Sequence, residues 1–154
     1  MGAKVKNPRK KFLWSIMFPK HPINTYLFQS CTLPDIEIDQ VAHGDVNRDV
    51  KTAGRVTIGN LIVEKLMTTA GSDTWLHDWL YACQDHIVGG GLVPSQYWET
   101  SIVNELAEDG VSVLNTHVFE EVWPCKITGL DLDRMASENT IESIEFSVGT
   151  ADKY

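Results

Sequence analysis

The chain has 154 residues, 43% of them hydrophobic and 22% charged, which suits a single domain that buries its own core. Its net charge of −8 is uneven: residues 1–11 hold Lys4, Lys6, Arg9, Lys10 and Lys11 and no acid, so 12–154, with 8 basic and 21 acidic residues, carries −13. An acidic body argues against nucleic-acid binding by phosphate neutralisation, and no run reaches the roughly 18 apolar residues of a spanning helix.

In chain order, residues 1–11 read as a basic arm and 12–154 as one β domain. "KFLWSIMF" (11–18) is rich in strand formers and stops at Pro19. It is short for a signal-peptide core and "PKHP" follows it without a small-residue cleavage site, so synthesis in the cytoplasm is expected. "PKHP" predicts a turn into a second strand, "TYLFQSC" (25–31), and the two read as a hairpin. "DIEIDQVAHG" (35–44) alternates: Ile36 and Ile38 point one way, Asp35, Glu37 and Asp39 the other, so one buried and one wet face are expected.

"DVNRDVKTAG" (45–54) is polar and reads as an extended loop of the kind that carries contacts. "RVTIGNLIVEKLMTT" (55–69) predicts one long strand, apolar on both faces, with Gly59 as a bulge or close approach. "GSDTWLHDWLYACQDHIVGGG" (71–91) predicts the single helix. Ser72 or Asp73 would cap it, Trp75, Trp79, Cys83 and Ile87 form its stripe, and Gly89 lies beyond its end. "LVPSQYW" reads as loop. Residues 98–133 read as strand, Asp109-Gly110 turn, strand, turn, strand, and "NTIESIEFSVGT" (139–150) as the last strand. The expected fold is mainly β: two packed antiparallel sheets, sandwich or barrel, with one flanking α-helix.

Motifs for chemistry are sparse. Cys83 and His86 share a helical spacing, but Cys83 falls on the apolar stripe and reads as core. Glu37/Asp39, Glu120/Glu121, Asp131/Asp133 and Glu142/Glu145 are carboxylate pairs that a wet sheet face also produces. There is no phosphate-binding glycine loop, nucleophile elbow or two-His ligand spacing. No catalytic, cofactor or metal site is therefore expected. Cys31, Cys83 and Cys125 show no paired spacing; they read as small apolar residues, with a cross-link between subunits as the sharper option.

Several segments resemble one family. "NPRKKFLWSIMF", "TLPDIEID", "VKTAGRVTIGNLIVEKLM" with Lys51 and Gly54, "SDTWLHDWLYAC" with Leu76 and Trp79, and "VWPCKITGLDLD" followed by "SENTIESIEFSV" occur in the order seen in tail tube proteins of contractile-tailed bacteriophages. These are related in fold to type VI secretion tube proteins. The chain departs from the pattern at Cys125, where members typically carry an aliphatic residue, and at Ala53, where they carry Pro.

The resemblance implies six subunits closing a ring, and rings stacking into a hollow tube inside a sheath. Sheath, baseplate and tail-terminator proteins would be partners, and DNA would pass without specific binding. Six copies at −8 each carry −48, a bore that repels phosphate. Glu37 and Asp39 are candidate lumen residues. Lys10, Lys11, Asp45, Arg48, Asp49, Lys51, Asp131 and Asp133 are candidate subunit or ring contacts, and Cys31 and Cys125 a candidate inter-subunit disulfide. A virion-tail location follows, without membrane insertion. Alternatives are a secretion-type tube protein and a small carbohydrate-binding β-sandwich using Tyr97 and Trp98; a thiol or carboxylate hydrolase is third.

Overall fold

The computed structural model describes residues 8–21, 28–67 and 74–153. Among them, nine strands run in the order β1 (Trp14–Met17), β2 (Phe28–Thr32), β3 (Ile36–Gly44), β4 (Asp49–Ile58), β5 (Leu61–Leu66), β6 (Glu99–Leu106), β7 (Val113–Ile127), β8 (Ile141–Ser147) and β9 (Thr150–Lys153). Helices α1 (Trp75–Cys83) and α2 (Pro94–Tyr97) lie between β5 and β6. The fold is mainly β, as expected, and its strands form two antiparallel sheets that do not close into a barrel.

The larger sheet has seven strands in the order β1-β6-β7-β8-β5-β2, with β9 added to β7. Its organising element is β7. Residues 117–120 of β7 pair with β9 and 113–122 with β6, whereas Trp123–Ile127 pair with β8. Near the end of the stretch paired with β6, Glu121 takes a left-handed φ of 56°. Buried Pro124 stands opposite Phe146, just before a register shift that ends at Lys126. Proline fits there because a bulge leaves its missing N–H without consequence. It lies well inside the strand.

One hydrophobic cluster takes residues from both halves of this sheet: Ile16, Val103 and Phe119 on one side, Phe28, Leu61, Val63, Ile144 and Phe146 on the other. Period two accounts for the choice. On β5 the buried set is Leu61, Val63 and Lys65, and on β8 it is Glu142, Ile144 and Phe146. Helix α1 adds Trp75, Leu76 and Trp79, and Phe18 sits among them with rings of Phe28, Trp75, Trp79 and Phe146 at 5.3–6.0 Å. Each such side chain contributes roughly 1.5–3 kcal/mol on burial.

Several expectations are corrected. The strands at 11–18 and 25–31 do not form a hairpin: β1 pairs with β6 and β2 with β5, at opposite edges of the sheet. Residues 25–27 of that reading lie outside the described residues. Residues 45–54 are not a loop, because β4 begins at Asp49 and only 45–48 form the tip, where Asp45 N–H donates to Arg48 O at 2.9 Å. Lys51 and Gly54 consequently lie inside β4, not in a turn. Gly54 faces a bulge at Asp39, whose carbonyl lies 3.1 Å from where a Cβ would be.

The long strand at 55–69 is two strands. Gly59 and Asn60 break it, with Gly59 N–H donating to Asp35 O at 2.8 Å. Thr68 and Thr69 lie outside the described residues. The helix read over 71–91 ends at Cys83. Asp85 turns the chain there: its Oδ1 accepts from Ile87 N–H at 2.8 Å and Val88 N–H at 3.4 Å. Ile87 and Val88 are exposed, so they do not extend the stripe, and Gly89, with φ 75°, belongs to this turn instead of the helix end. The proposed caps Ser72 and Asp73 lie outside the described residues. "LVPSQYW" contains α2, the two later strands expected before Asp133 are one strand, β7, and β9 was not foreseen.

Candidate functional site: unfinished sheet edges and an uncovered hairpin

Among the described residues, strands β3 and β4 form a hairpin that pairs with no other strand. Ile36 stands opposite Ile58 and Ile38 opposite Val56, so these aliphatic residues share one face. Glu37 and Thr57 face each other on the other side. The alternation read from the sequence is therefore real, but its apolar face is not buried among the described residues. Ile36, Ile38 and Val56 are 60%, 53% and 58% exposed, and every residue of β3 is exposed. Period-two patterning reports that a face must be covered, not by which chain.

The larger sheet is also unfinished. Among the described residues β1, β2 and β9 each have one partner strand, and an open cleft of about 750 Å³ is lined by Trp14 and Ile16 of β1 and by Phe28 and Cys31 of β2. An unpaired edge is a template for another strand. Edges, cleft and hairpin together make surfaces suited to association between chains.

The predicted contact residues fall in three places. Asp45, Arg48 and Asp49 gather at the hairpin tip, and Lys51 lies further along β4 opposite Ala42. Lys10 and Lys11 are exposed before β1, where Arg9 donates to Glu105 at 3.0 Å. Asp131 and Asp133 belong to the segment 128–140 and line an open cavity of about 690 Å³ with Arg134 and Glu138. Asp133 Oδ1 accepts from Met135 N–H at 2.9 Å, a local turn bond. Glu37 and Asp39 are exposed on β3, but the bulge between Ile38 and Gln40 shifts Asp39 out of simple alternation with Glu37.

Cys31 and Cys125 are free, with β5 and β8 between their strands. Cys125 is exposed, accepts from Asn60 Nδ2 at 3.8 Å and donates to Glu145 O at 3.3 Å. Burial pushes the Cys31 thiol up to about 12. Burial, then the charge of Glu99, pushes Cys83 up to about 11, away from a thiolate nucleophile; His86 meets the Tyr81 ring instead, tilted at 38° with centroids 5.4 Å apart. Tyr97 and Trp98 meet nearly edge to face at 83°, which is not the flat platform a sugar ring needs.

Sequence reasoning missed the acidic, aromatic cavity at the start of β6, lined by His21, Trp75, Asp78, Trp79, Tyr97 and Glu99. Its members are spread over 79 positions, so no local motif announced it.

The family model described as T4-like virus tail tube protein gp19 matches residues 10–150. No curated protein matches the chain in sequence. Among solved structures, the fold is similar to one from the anti-feeding prophage tube-terminating cap, with a TM-score of 0.82 and 16% identity over 100% of this chain and 95% of that one. It is also similar to one from the sheath–tube complex of an extracellular contractile injection system, PVC, in its extended state (TM-score 0.78, 18% identity, 97% and 93% covered). A type six secretion system protein is more distant, at TM-score 0.55 and 12% identity over 91% of this chain and 81% of that one.

Proposed function

The chain belongs to the T4-like virus tail tube protein family, and on that premise we propose that six copies close a ring and that rings stack into the tube of a contractile tail. The hairpin β3–β4 carries this reading: an aliphatic face on a two-stranded sheet, exposed along its length, is stable only when something covers it. A neighbouring copy supplies both the cover and the strand that the open edges of β1 and β2 lack. Family membership makes the chain a structural tube protein, and the groups able to do chemistry are turned to structural ends.

The tube carries DNA out of the virion through a bore kept non-adhesive by acidic residues, with Glu37 and Asp39 as lumen candidates. Its partners are the sheath outside and the baseplate and terminator at its ends. The cap and sheath–tube assemblies of the similar structures support that choice. The protein is made in the host cytoplasm and works in the virion tail.

Electron microscopy of negatively stained purified protein should show rings or tubes about one subunit thick. A preparation that stays monomeric at every concentration and salt tried, including material taken from virions, overturns the proposal. Ile38→Asp with Val56→Asp should abolish assembly while leaving the circular dichroism of the monomer unchanged.

A further inference from the structure

We propose that the cavity at the start of β6 is a socket for the Lys10–Lys11 turn of a second copy, joining successive rings head to tail. The proposal rests on the tube reading above and assigns a partner to a site that reading leaves unused. The cavity holds about 270 Å³. Its walls are Trp75 and Trp79, nearly parallel at 17° with centroids 6.4 Å apart, and Tyr97, whose carbonyl accepts from Trp79 Nε1 at 2.8 Å. His21 lies against Trp75 at 4.6 Å and brings Nε2 within 3.3 Å of Glu99 Oε1.

Two features call for a cation. The Glu99 side chain is only 10% exposed, and its Oε2 is buried without a hydrogen-bond partner among the described residues. A buried carboxylate oxygen left so is costly, and an approaching positive charge relieves it. Asp78 adds a second carboxylate at the exposed side. Leu92, 48% exposed, lines the cavity, and Val93 beside it in sequence is 57% exposed, so the mouth has an apolar border.

The complementary group sits at the other end of the same strand. At the Leu106 end of β6, Leu106 N–H donates to Leu13 O at 2.9 Å, and Arg9 and Lys10 lie beside it. Arg9 is engaged by Glu105, whereas Lys10 and Lys11 are exposed and form no ion pair among the described residues. Phe12, next in sequence, is 75% exposed and matches the apolar border. Seven residue steps of about 3.3 Å separate Glu99 from Leu106, roughly 23 Å, so this turn does not reach the cavity of its own chain. A turn at one end and a socket at the other make a heterologous contact, the kind that propagates along an axis.

The test uses full-length protein. Heavy-nitrogen-labelled and unlabelled copies are mixed, assembled, coupled with a carbodiimide that joins carboxylates to lysine amines, digested and read by mass spectrometry. Isotopically mixed cross-links from Lys10 or Lys11 to the exposed Asp78 are expected. Lys10→Glu with Lys11→Glu, both at exposed positions, should raise the concentration needed for assembly by about tenfold or more, and adding Asp78→Lys should recover part of the loss. Tubes that form while these cross-links are absent, or arise only within one copy, overturn the socket and leave the tube reading standing. Protein that never assembles overturns both.

Discussion

Lys65 and Glu142 stand opposite each other across β5 and β8, both on the core face of the sheet and only 0% and 1% exposed. Glu142 Oε2 also lies 3.1 Å from His77 Nε2, on α1. A buried charge is tolerated when others compensate it, and removing one member leaves the rest exposed to the full desolvation cost. Glu142→Ala should therefore destabilise the domain by about 3–5 kcal/mol in urea unfolding. Lys65→Met combined with Glu142→Leu should lose much less than Glu142→Ala alone. Glu138→Ala, in the exposed 128–140 segment, should stay within about 0.5 kcal/mol. Equal losses for Glu142 and Glu138 would contradict this account.

Phe18 is fully buried between the sheet and α1, touching two tryptophans and two phenylalanines. Truncation to Ala removes those contacts and leaves a cavity that rigid rings cannot fill. The expected cost is about 3–5 kcal/mol, with Phe18→Leu clearly milder. Thermal unfolding followed by near-ultraviolet circular dichroism checks it, since that signal reports the same rings.

Glu121 and Gly149 form a second coupled pair. Glu121 holds φ 56°, a region costing a non-glycine residue about 1–2 kcal/mol. A Cβ added at Gly149 would run into the Glu121 carboxylate and lie 2.6 Å from its Cβ. Glu121→Gly should stabilise the domain or leave it unchanged, and Gly149→Ala should destabilise it. The double variant should lose less than the sum, by about 1 kcal/mol or more in a double-mutant cycle. Simple additivity would remove the coupling.

Glu105 titrates below the ordinary carboxylate range. Partial burial pushes it up, but the hydrogen bond from Asn115, the nearness of His117 at 3.5 Å and the charge of Arg9 outweigh that effect. The folded state thus favours the ionised form. The stability this adds is present above the ordinary carboxylate pKa and is lost as pH falls through the lowered value. Wild type and Glu105→Gln should differ near neutral pH and converge in acid. A difference that grows on acidification would reverse the sign.

Alkylation should rank the thiols. Cys125 is exposed and should react with iodoacetamide first in unassembled protein, then Cys83, with Cys31 slowest because burial holds it near 12. Timed mass spectrometry reads the order, and early loss of Cys31 would show that the β2 edge opens. Non-reducing gels of oxidised tubes test the Cys31–Cys125 cross-link between copies: monomer bands alone would exclude it.

Local signals were legible in the sequence. Asp109-Gly110 makes its turn, with Gly110 at φ 74° and Asp109 accepting from Val111 and Ser112. The apolar residues on both faces of 55–69 do not say which face is the core; β5 buries Leu61, Val63 and Lys65. Reach was not legible: nothing near Trp14 says that its strand pairs with Glu105 instead of the next strand along the chain. The helix was overextended because Ile87 and Val88 continue its spacing, while one side chain, Asp85, diverts the backbone. The apolar face of Ile36 and Ile38 was legible from alternation, but not which chain covers it.

One strand, β7, serves both halves of the large sheet, with its kink at Glu121 near the end of the stretch paired with β6. Neither half can peel away while that shared girder holds, so a shear applied to one is carried by the other. The subunit therefore answers a load as one mechanical piece instead of two.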